Sequence, residues 1–230
     1  MKQILNDLLH LVYPNLCVGC HEQPVDNNEL FCVECDVKLP ITDFHLVEQN
    51  EALKRMGGDY KFVSGVSMFR FYPGGIVQNM IHEIKYRGQT NIARRLGRRY
   101  GEVIKETRIY QNLNCIIPIP LHPTKLRSRG YNQSTFFAEG LSQALNCPVG
   151  LHYLKRVVKT ETQTSKNRYE RIKSMLEAFK AGNQASDLKN KHVLLVDDVL
   201  TTGATLESCA LALSEVPGLK ISFATIALAQ

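Results

Sequence analysis

Residues 193–205 read Val-Leu-Leu-Val-Asp-Asp-Val-Leu-Thr-Thr-Gly-Ala-Thr, and they carry the strongest indication of the fold class. Four consecutive aliphatic residues are typical of a strand that is buried on both faces, as in a parallel sheet. The strand is predicted to end at the two carboxylates, and Thr202-Gly203 is predicted to open a helix over 204–214. A strand followed by a glycine turn and a helix indicates an α/β protein with its functional groups at the carboxyl end of the sheet.

The residues that follow the aliphatic run combine an anion site with a diol site. Backbone N–H groups, hydroxyls and the positive end of a helix dipole coincide at 201–205, which suits a phosphate. Asp197 and Asp198 suit the vicinal hydroxyls of a ribose, or a divalent metal. Together they predict a site for a ribose 5-phosphate. The alternatives are two solvated acids or the acidic strand of a nucleotide hydrolase, whose Gly-x4-Gly-Lys-Ser/Thr loop the chain lacks.

Strand and helix patterns alternate around this stretch, which favours a parallel sheet with helices on both faces. Further strands are predicted at 62–72, 115–120 and 221–227, and helices at 76–84, 91–107 and 132–145. A basic loop is expected at 125–129, and a long basic loop that runs into a helix at 155–173. The paired cysteines and the distribution of charge give further information on the segments outside the predicted sheet.

Four of the seven cysteines form two Cys-x2-Cys pairs, Cys17/Cys20 and Cys32/Cys35, separated by eleven residues. Two such knuckles supply the four thiolates of a closed tetrahedral zinc site. The alternatives are a disulfide pair, which is disfavoured in a cytoplasmic chain, and a redox Cys-x-x-Cys, which needs no twin. We predict a structural Zn²⁺ ion that folds a segment too small to fold by burial alone.

Charge is distributed unevenly along the 230 residues. Residues 1–60 carry 4 Lys and Arg against 10 Asp and Glu, residues 61–180 carry 21 against 7, and residues 181–230 carry 3 against 5. The excess of positive charge in residues 61–180 suggests a nucleic acid or a phosphorylated small molecule as partner, or else a solvated surface without a ligand. No apolar run approaches the roughly 18 residues of a membrane span. Residues 1–14 are predicted to form an amphipathic helix without a cleavage site, so we expect a cytoplasmic protein with no transmembrane segment.

A family resemblance rests on several of these motifs together. The run 196–205 resembles the phosphoribosyl pyrophosphate (PRPP) signature of type I phosphoribosyltransferases, and more of the chain resembles the ComF proteins of the DNA-uptake competence system. The further matching motifs are the paired cysteines, Ile84-Lys85-Tyr86-Arg87-Gly88, Pro118-Ile119-Pro120-Leu121, Arg129-Gly130-Tyr131-Asn132-Gln133 and the series Arg156, Thr160, Gln163, Arg168. They span nearly the whole chain in the family's order.

The resemblance implies a fold and a set of roles. The fold is a type I phosphoribosyltransferase-like parallel sheet with a small N-terminal four-cysteine zinc module at 1–57, a hood or connecting segment at 58–113, and a PRPP-binding core at 114–230. The implied PRPP-binding residues are Asp197, Asp198, Thr201, Thr202, Gly203, Ala204 and Thr205. The loop after 118–120 would lie near the pyrophosphate, and 155–168 would be the mobile loop that closes over the reacting centre. A Mg²⁺ ion would come with PRPP, held mainly by the oxygens of PRPP.

Three basic residues are candidate catalytic groups, because departure of pyrophosphate leaves a cation-like ribose carbon and an anionic leaving group. They are Lys85, Arg129 and Arg168. No general base stands out, and nothing in 62–110 names a nucleobase. Whether the chain catalyses phosphoribosyl transfer is therefore left open by its sequence.

Two functions are compatible with these residues. The first is a ComF-like PRPP-binding protein that acts in DNA uptake during natural competence, with single-stranded DNA and other competence proteins at the inner membrane face as candidate partners. The second is an active phosphoribosyltransferase that transfers ribose 5-phosphate to an unknown base or amine. For DNA, the candidate surface is the basic face of the predicted helix at 91–107, with Arg94, Arg95, Arg98 and Arg99, together with the basic loops. Aromatic residues are available to stack on bases, although core packing explains most of them: Phe69, Phe71, Tyr72, Tyr86, Tyr100 and Tyr131.

Overall fold

The computed structural model describes residues 14–58, 60–157 and 178–230. Its strands are β1 (Gly65–Phe71), β2 (Cys115–Pro118), β3 (Leu154–Arg156), β4 (Phe179–Ala181), β5 (His192–Leu200) and β6 (Lys220–Ala229). Four of them form one sheet in the order β1-β6-β5-β2, in which every neighbouring pair is parallel. The other two, β3 and β4, form a separate antiparallel ribbon. The parallel sheet predicted from the sequence is confirmed.

The aliphatic run of 193–196 lies in an inner strand of the sheet. Each of these four residues is fully shielded from solvent, as are Ile221 and most of β6 beside it. Two adjacent strands that are buried throughout require cover on both faces, which explains why neither strand alternates apolar and polar residues. This burial makes β5 and β6 the rigid support for the residues that follow the run.

Seven helices surround the sheet in the described part of the chain. They are α1 (Val33–Val37), α2 (Glu51–Lys54), α3 (Ile76–Tyr86), α4 (Thr90–Ile104), α5 (Pro123–Arg129), α6 (Gln133–Leu145) and α7 (Ala204–Leu213), with short 3-10 turns at Phe44–Leu46, Arg108–Tyr110 and Ala185–Leu188. In α3, Val77, Met80 and Ile84 are buried at helical spacing. None of the described helices has both the length and the hydrophobicity needed to cross a membrane.

Glycines bring α4 and α6 into close contact. A Cβ atom added to Gly97 would lie 2.2 Å from the carbonyl oxygen of Phe137, and one added to Gly140 would lie 2.0 Å from that of Arg94. The two helix backbones could not approach this closely with any larger residue at either position. Because α6 begins beside the carboxyl end of β5, this contact also fixes the start of α6 against the candidate site.

The basic segment 125–129 is a helix, α5, and the prediction of a loop there was wrong. Pro123 occupies its first turn, the Nδ1 atom of His122 accepts a hydrogen bond from the Thr124 N–H at 3.2 Å, and Gly130 ends it with a φ of 81°. These are the usual start and stop signals of a helix. The helix buries none of its residues, so it has no apolar periodicity that could have revealed it.

Strand β5 also continues beyond the point where it was predicted to end. Its ladder with β6 pairs Asp197 with Thr225 and Val199 with Ala227, so both carboxylates lie within the strand. The first two residues of the predicted loop 155–173, Lys155 and Arg156, likewise belong to a strand, β3. The predicted N-terminal helix and most of that loop, including Arg168, lie outside the described residues.

The outer edge of β1 is covered by the segment that follows α1. The Thr42 N–H donates to the Met68 carbonyl at 3.0 Å, and the Arg70 N–H donates to the Pro40 carbonyl at 2.8 Å. Covering an edge in this way removes an open template for pairing with other chains. The segment 58–113 supplies β1 to the sheet, and the boundaries proposed above for three domains stay a prediction.

Candidate functional site

The four paired cysteines form one cluster. The Sγ atoms of Cys17, Cys20, Cys32 and Cys35 all lie within 4.8 Å of one another. A tetrahedral Zn²⁺ ion with Zn–S bonds of about 2.3 Å would place its sulfur ligands roughly 3.8 Å apart, so the cluster fits such an ion after small adjustments. It could hold a metal such as zinc, with four protein ligands and no open position.

The backbone around the cluster favours thiolate at one position. Burial acts to raise the pKa of Cys17, but hydrogen bonds from backbone N–H groups outweigh it and lower the pKa to about 7. Two of these donors are the Cys32 N–H at 3.2 Å and the Gly19 N–H at 3.4 Å from the Cys17 Sγ atom. Burial raises the pKa of Cys35. A metal ion would displace the proton of that thiol, which makes metal affinity pH-dependent.

Helices α3 and α4 hold the cysteine cluster against the rest of the molecule. The Asn79 side chain of α3 donates to the Gly19 carbonyl at 2.7 Å. From α4, Arg99 forms an ion pair of 2.8 Å with Asp36, and Arg95 donates to the Glu29 carbonyl at 3.3 Å. The cluster is thereby attached to the same helix, α3, whose last turn reaches the candidate ligand cavity.

This attachment changes the interpretation of the basic face of α4. Arg95 and Arg99 contact the cysteine segment, as described above. Arg94 forms an ion pair of 2.6 Å with Glu139 of α6 and lies over the ring of Phe136. Three of the four arginines predicted as a DNA-binding face therefore contact other parts of this chain. Their alignment on α4 serves the packing of the protein, and the case for DNA binding at this face is correspondingly weaker.

A second candidate site, the acidic cavity, lies at the carboxyl end of the sheet and encloses about 270 Å³. Its lining includes the predicted residues Lys85, Arg129, Asp197, Asp198 and Thr205. The segments predicted to lie near the reacting centre also contribute Ile119, Pro120, Leu121 and Arg156. Residues that the sequence did not assign to the site complete the lining: Tyr86, Lys125, Asn132, Gln133, Ser134 and Val199. The lining residues come from α3, the β2–α5 loop, α5, α6, β3, β5 and α7, so the cavity forms only when the whole fold is assembled.

Asp198 receives two donors from distant parts of the chain. The Lys85 Nζ atom lies 2.9 Å from its Oδ2 atom, and the Gln133 side chain donates to the same oxygen at 2.6 Å. Arg129 in turn donates to the Oε1 atom of Gln133. Lys85 therefore contacts the predicted aspartate pair directly, and Arg129 reaches it through Gln133.

Asp197 is held mainly by the first turn of α6. The Ser134 hydroxyl donates to its Oδ1 atom at 3.0 Å, and the Asp198 N–H donates to the same oxygen at 2.9 Å. Burial, and then the charge of Asp198, raise the pKa of Asp197 to about 7, against the lowering effect of these donors. A carboxyl group with such a pKa can accept or release a proton near neutral pH.

Residues 201–205 connect β5 to α7 beside this cavity. Gly203 has a φ of 83°, a conformation that glycine adopts without strain. A Cβ atom there would lie 2.4 Å from the Cε atom of Met56, a flexible side-chain end that can move, so the positive φ is the main reason for glycine at this position. Thr205 lines the acidic cavity, whereas Thr201 and Thr202 are exposed at its side. The sequence-predicted phosphate loop thus has the expected strand–turn–helix setting.

A segment that no local sequence pattern revealed supports this loop from behind. The Arg55 Nη1 atom donates to the Thr201 carbonyl at 3.2 Å and to the Ala229 carbonyl at 2.9 Å. The Gly58 N–H donates to Glu207, in the first turn of α7, at 3.2 Å. These contacts join positions about 150 residues apart, so only the folded structure could show them.

Comparison with known proteins agrees with this geometry. A model of the phosphoribosyl transferase domain matches residues 132–229. Competence protein F of Haemophilus influenzae is 28% identical over 204 residues, which cover 86% of this chain and 83% of that protein. Competence protein ComFC of Streptococcus pneumoniae is 38% identical over 109 residues, or 46% of this chain and 42% of that protein. DNA utilization protein YhgH of Escherichia coli O157:H7 is 29% identical over 134 residues, or 57% and 58%.

The matched domain begins at Asn132, whose side chain caps α6 and donates to the Ile119 carbonyl at 2.9 Å, and it ends in β6. It therefore contains Gln133, Ser134 and the aspartate pair, while the relatives extend the similarity over most of the chain. A phosphoribosyl transferase domain preceded by a docked four-cysteine cluster, in a chain similar to competence protein F along most of its length, supports the resemblance to the ComF family.

Proposed function

We propose that this protein binds Mg–PRPP in the acidic cavity and acts in DNA uptake during natural competence. The observation that carries the PRPP proposal is the junction of β5 and α7, where an aspartate pair and a glycine-containing turn lie within nine residues of one another. The first group suits ribose hydroxyls, and the second suits a phosphate. A ligand that carries a ribose 5-phosphate uses both the aspartate pair and the glycine-containing turn.

Each part of PRPP has a partner in this arrangement. Asp197 and Asp198 accept hydrogen bonds from the ribose hydroxyls, and the 201–205 turn holds the 5-phosphate with backbone N–H and threonine hydroxyl groups. Lys85 and Arg129 face the pyrophosphate and offset its charge. The Mg²⁺ ion accompanies the substrate and is coordinated mainly by its oxygens. In the absence of ligand, the contact between Lys85 and Asp198 limits the repulsion between the two aspartates.

The cysteine cluster has a structural part in this proposal. With all four ligand positions filled by thiolates, a Zn²⁺ ion there has no position for a substrate. It would stabilise the segment that packs on α3 and α4, and so support the helix that carries Lys85. A zinc ion in this setting contributes to folding and takes no part in group transfer.

The role in DNA uptake rests on the relatives. Competence protein F and competence protein ComFC carry competence in their names, and YhgH is named for DNA utilization. The first of these relatives matches this chain over most of its length. A shared process is therefore the function that this similarity supports best.

Phosphoribosyl transfer to an acceptor base or amine is the second candidate function. The observation that favours it is Asp197, whose raised pKa of about 7 suits a proton acceptor for a nucleophile that attacks the ribose carbon. Lys85 and Arg129 would stabilise the departing pyrophosphate. Release of pyrophosphate from PRPP in the presence of candidate acceptors is the measurement that separates this function from simple binding.

Calorimetric titration of the zinc-loaded protein with Mg–PRPP tests the binding site. We expect micromolar affinity for the unmodified protein and no measurable binding after the double substitution Asp197→Asn with Asp198→Asn. The matched control is Asp187→Asn, which removes one exposed carboxylate away from the cavity and should leave affinity unchanged. Zinc content should be equal in all variants. Undiminished PRPP affinity in the double variant would contradict the site assignment.

A further inference from the structure

A second cavity adjoins the acidic one and shares its cationic wall. It encloses about 420 Å³, within the roughly 300–1,000 Å³ of small-molecule sites. Four residues line both cavities: Lys85, Tyr86, Lys125 and Arg129. The remaining lining residues are Gly88, Ser128 and Tyr131, and we refer to this cavity as the Tyr86 lobe. It is therefore an extension of the same site with a different chemical lining.

The charged residues of the lobe are all cations, whereas the acidic cavity also contains Asp197 and Asp198. Lys85, Lys125 and Arg129 line the lobe, and no acidic side chain does so among the residues that the structure describes. Lys125 and Arg129 lie four residues apart in α5, which places them on one side of that helix. Lys85 is paired with Asp198, and Arg129 uses one of its N–H groups for Gln133, so Lys125 and the remaining N–H groups of Arg129 are available to a ligand in the lobe.

Tyr86 gives the lobe an aromatic surface in contact with water. It is the last residue of α3 and is 68% exposed, an unusual state for a tyrosine at the mouth of a cavity. The guanidinium carbon of Arg129 lies 5.5 Å from the centre of its ring. An exposed ring beside cations is the combination with which proteins bind nucleotides, because the ring stacks on a base and the cations hold the phosphate.

The backbone that presents this ring is held in place. The Tyr131 hydroxyl donates to the Ile84 carbonyl at 2.5 Å and accepts from the Gly88 N–H at 3.2 Å. Gly88 itself turns the chain with a φ of 71°. Tyr131 thus fixes the last turn of α3 from both sides of Tyr86. A ring on a fixed backbone loses little conformational freedom when a ligand stacks on it.

We propose that the Tyr86 lobe binds a nucleotide, with the base stacked on Tyr86 and the phosphate held by Lys125 and Arg129. The inference rests on the proposed function, since the lobe opens into the cavity assigned there to PRPP, and it adds a contact for the DNA or nucleotide that such a protein handles. A free mononucleotide and one unit of a single DNA strand share this chemistry. The experiment therefore includes both.

The test is a fluorescence titration of the zinc-loaded protein with thymidine 5′-monophosphate and, separately, with a short oligothymidylate. Tyr86→Leu should weaken binding about 5- to 150-fold, the factor that corresponds to one stacked base, whereas Tyr86→Phe should retain it. The matched control is Tyr72→Leu, a partly exposed tyrosine that lines neither cavity, which should leave affinity unchanged. Equal affinity of Tyr86→Leu and the unmodified protein for both probes would overturn the proposal.

The phosphate contact has its own test in the salt dependence of oligothymidylate binding. Lys125→Gln should reduce the slope of log affinity against log salt by about one, whereas Lys54→Gln, which removes an exposed lysine outside both cavities, should not. Tyr86-dependent binding of the oligonucleotide alone assigns the lobe to a DNA strand. Tyr86-dependent binding of both probes with equal affinity assigns it to a free nucleotide, and an unchanged slope in Lys125→Gln would refute the phosphate contact.

The same variants separate this inference from the proposed function. The Asp197→Asn, Asp198→Asn double variant should lose PRPP and keep the nucleotide, because the lobe contains neither carboxylate. Failure of the unmodified protein to bind either nucleotide probe refutes the lobe even if PRPP binds. Failure to bind PRPP, with Tyr86-dependent nucleotide binding intact, refutes the acidic-cavity assignment and leaves the lobe standing.

Discussion

Removal of Lys85 should destabilise the fold through the charge that it leaves behind. The side chains of Lys85 and Asp198 are 22% and 8% exposed, so the 2.9 Å contact between them is largely withdrawn from water. Losing a hydrogen bond to a charged group costs about 1.5–3 kcal/mol, and breaking a fully buried ion pair costs about 3–5 kcal/mol. Because Lys85 keeps some solvent contact and Gln133 still donates to Asp198, we expect Lys85→Met to cost about 2–3 kcal/mol.

Thermal and urea unfolding of the zinc-loaded protein at neutral pH, followed by circular dichroism, measures this cost. For a chain of this size the expected loss corresponds to a fall in Tm of about 4–12 °C. Lys54→Met, which removes an exposed lysine, is the matched control and should change Tm by no more than about 1 °C.

A double-mutant cycle separates the ion pair from lost packing of the lysine stem. In a protein that already carries Asp198→Asn, Lys85→Met should cost less than about 1 kcal/mol, because a neutral amide needs no counter-charge. The coupling between the two substitutions should therefore exceed about 1 kcal/mol. Equal costs of Lys85→Met in both backgrounds would refute the reasoning, and would mean that the pair contributes no more than two separate side chains.

Four further outcomes are expected. Gly140→Ala should lower the free energy of unfolding by about 1–3 kcal/mol in urea titrations, because the added methyl meets the α4 backbone, whereas Gly57→Ala, in open space, should not. Arg55→Gln should weaken PRPP binding several-fold in calorimetry and speed amide hydrogen exchange at 201–205, since the support behind the phosphate loop is lost; unchanged exchange there would argue against this support. Because the pKa of Asp197 is raised in the folded protein, the folded state binds more protons than the unfolded chain between about pH 4 and pH 7. The contribution of Asp197 to stability therefore falls as the pH rises through that window. Asp197→Asn should flatten the pH dependence of Tm. Removal of the metal by a chelator, or Cys35→Ser, should expose the α3–α4 surface and lower Tm. Calorimetry measures Tm, and the zinc content of each sample is determined in parallel. An unchanged Tm would contradict a structural metal.

What the sequence predicts well is what local patterns determine. The aliphatic run before Asp197 specifies a buried inner strand, and two Cys-x2-Cys pairs specify a four-thiolate cluster, because the spacing within each pair sets the local geometry. Helix α5 was missed for the complementary reason. It buries no side chain, so its existence depends on the capping signals of Pro123 and Gly130 alone.

The contacts that complete the candidate site could not be predicted in the same way. Lys85 reaches Asp198 across 113 positions, and Arg55 reaches Thr201 across 146, so no periodicity links them. Gln133 lies in a motif that suggested the family, yet its role as the link between Arg129 and Asp198 follows only from the packing of α6 on β5. The basic face of α4 shows the converse case, in which residues of a pronounced local charge pattern form internal contacts that the sequence alone does not reveal.

The strand order has a consequence for how the chain is made. Among the described residues, strand β6 is the last of six strands in chain order, yet it lies between β1 and β5. While the polypeptide is still on the ribosome, β1 and β5 therefore cannot join, and each presents an unpaired edge until 220–229 emerge from the exit tunnel. The cysteine pairs are complete more than a hundred and eighty residues earlier, so a nascent chain could bind a metal ion at these four thiols long before its sheet closes. Any messenger cut or stalled before codon 220 would then yield a metallated but open product, one that proteases should degrade far faster than the finished protein.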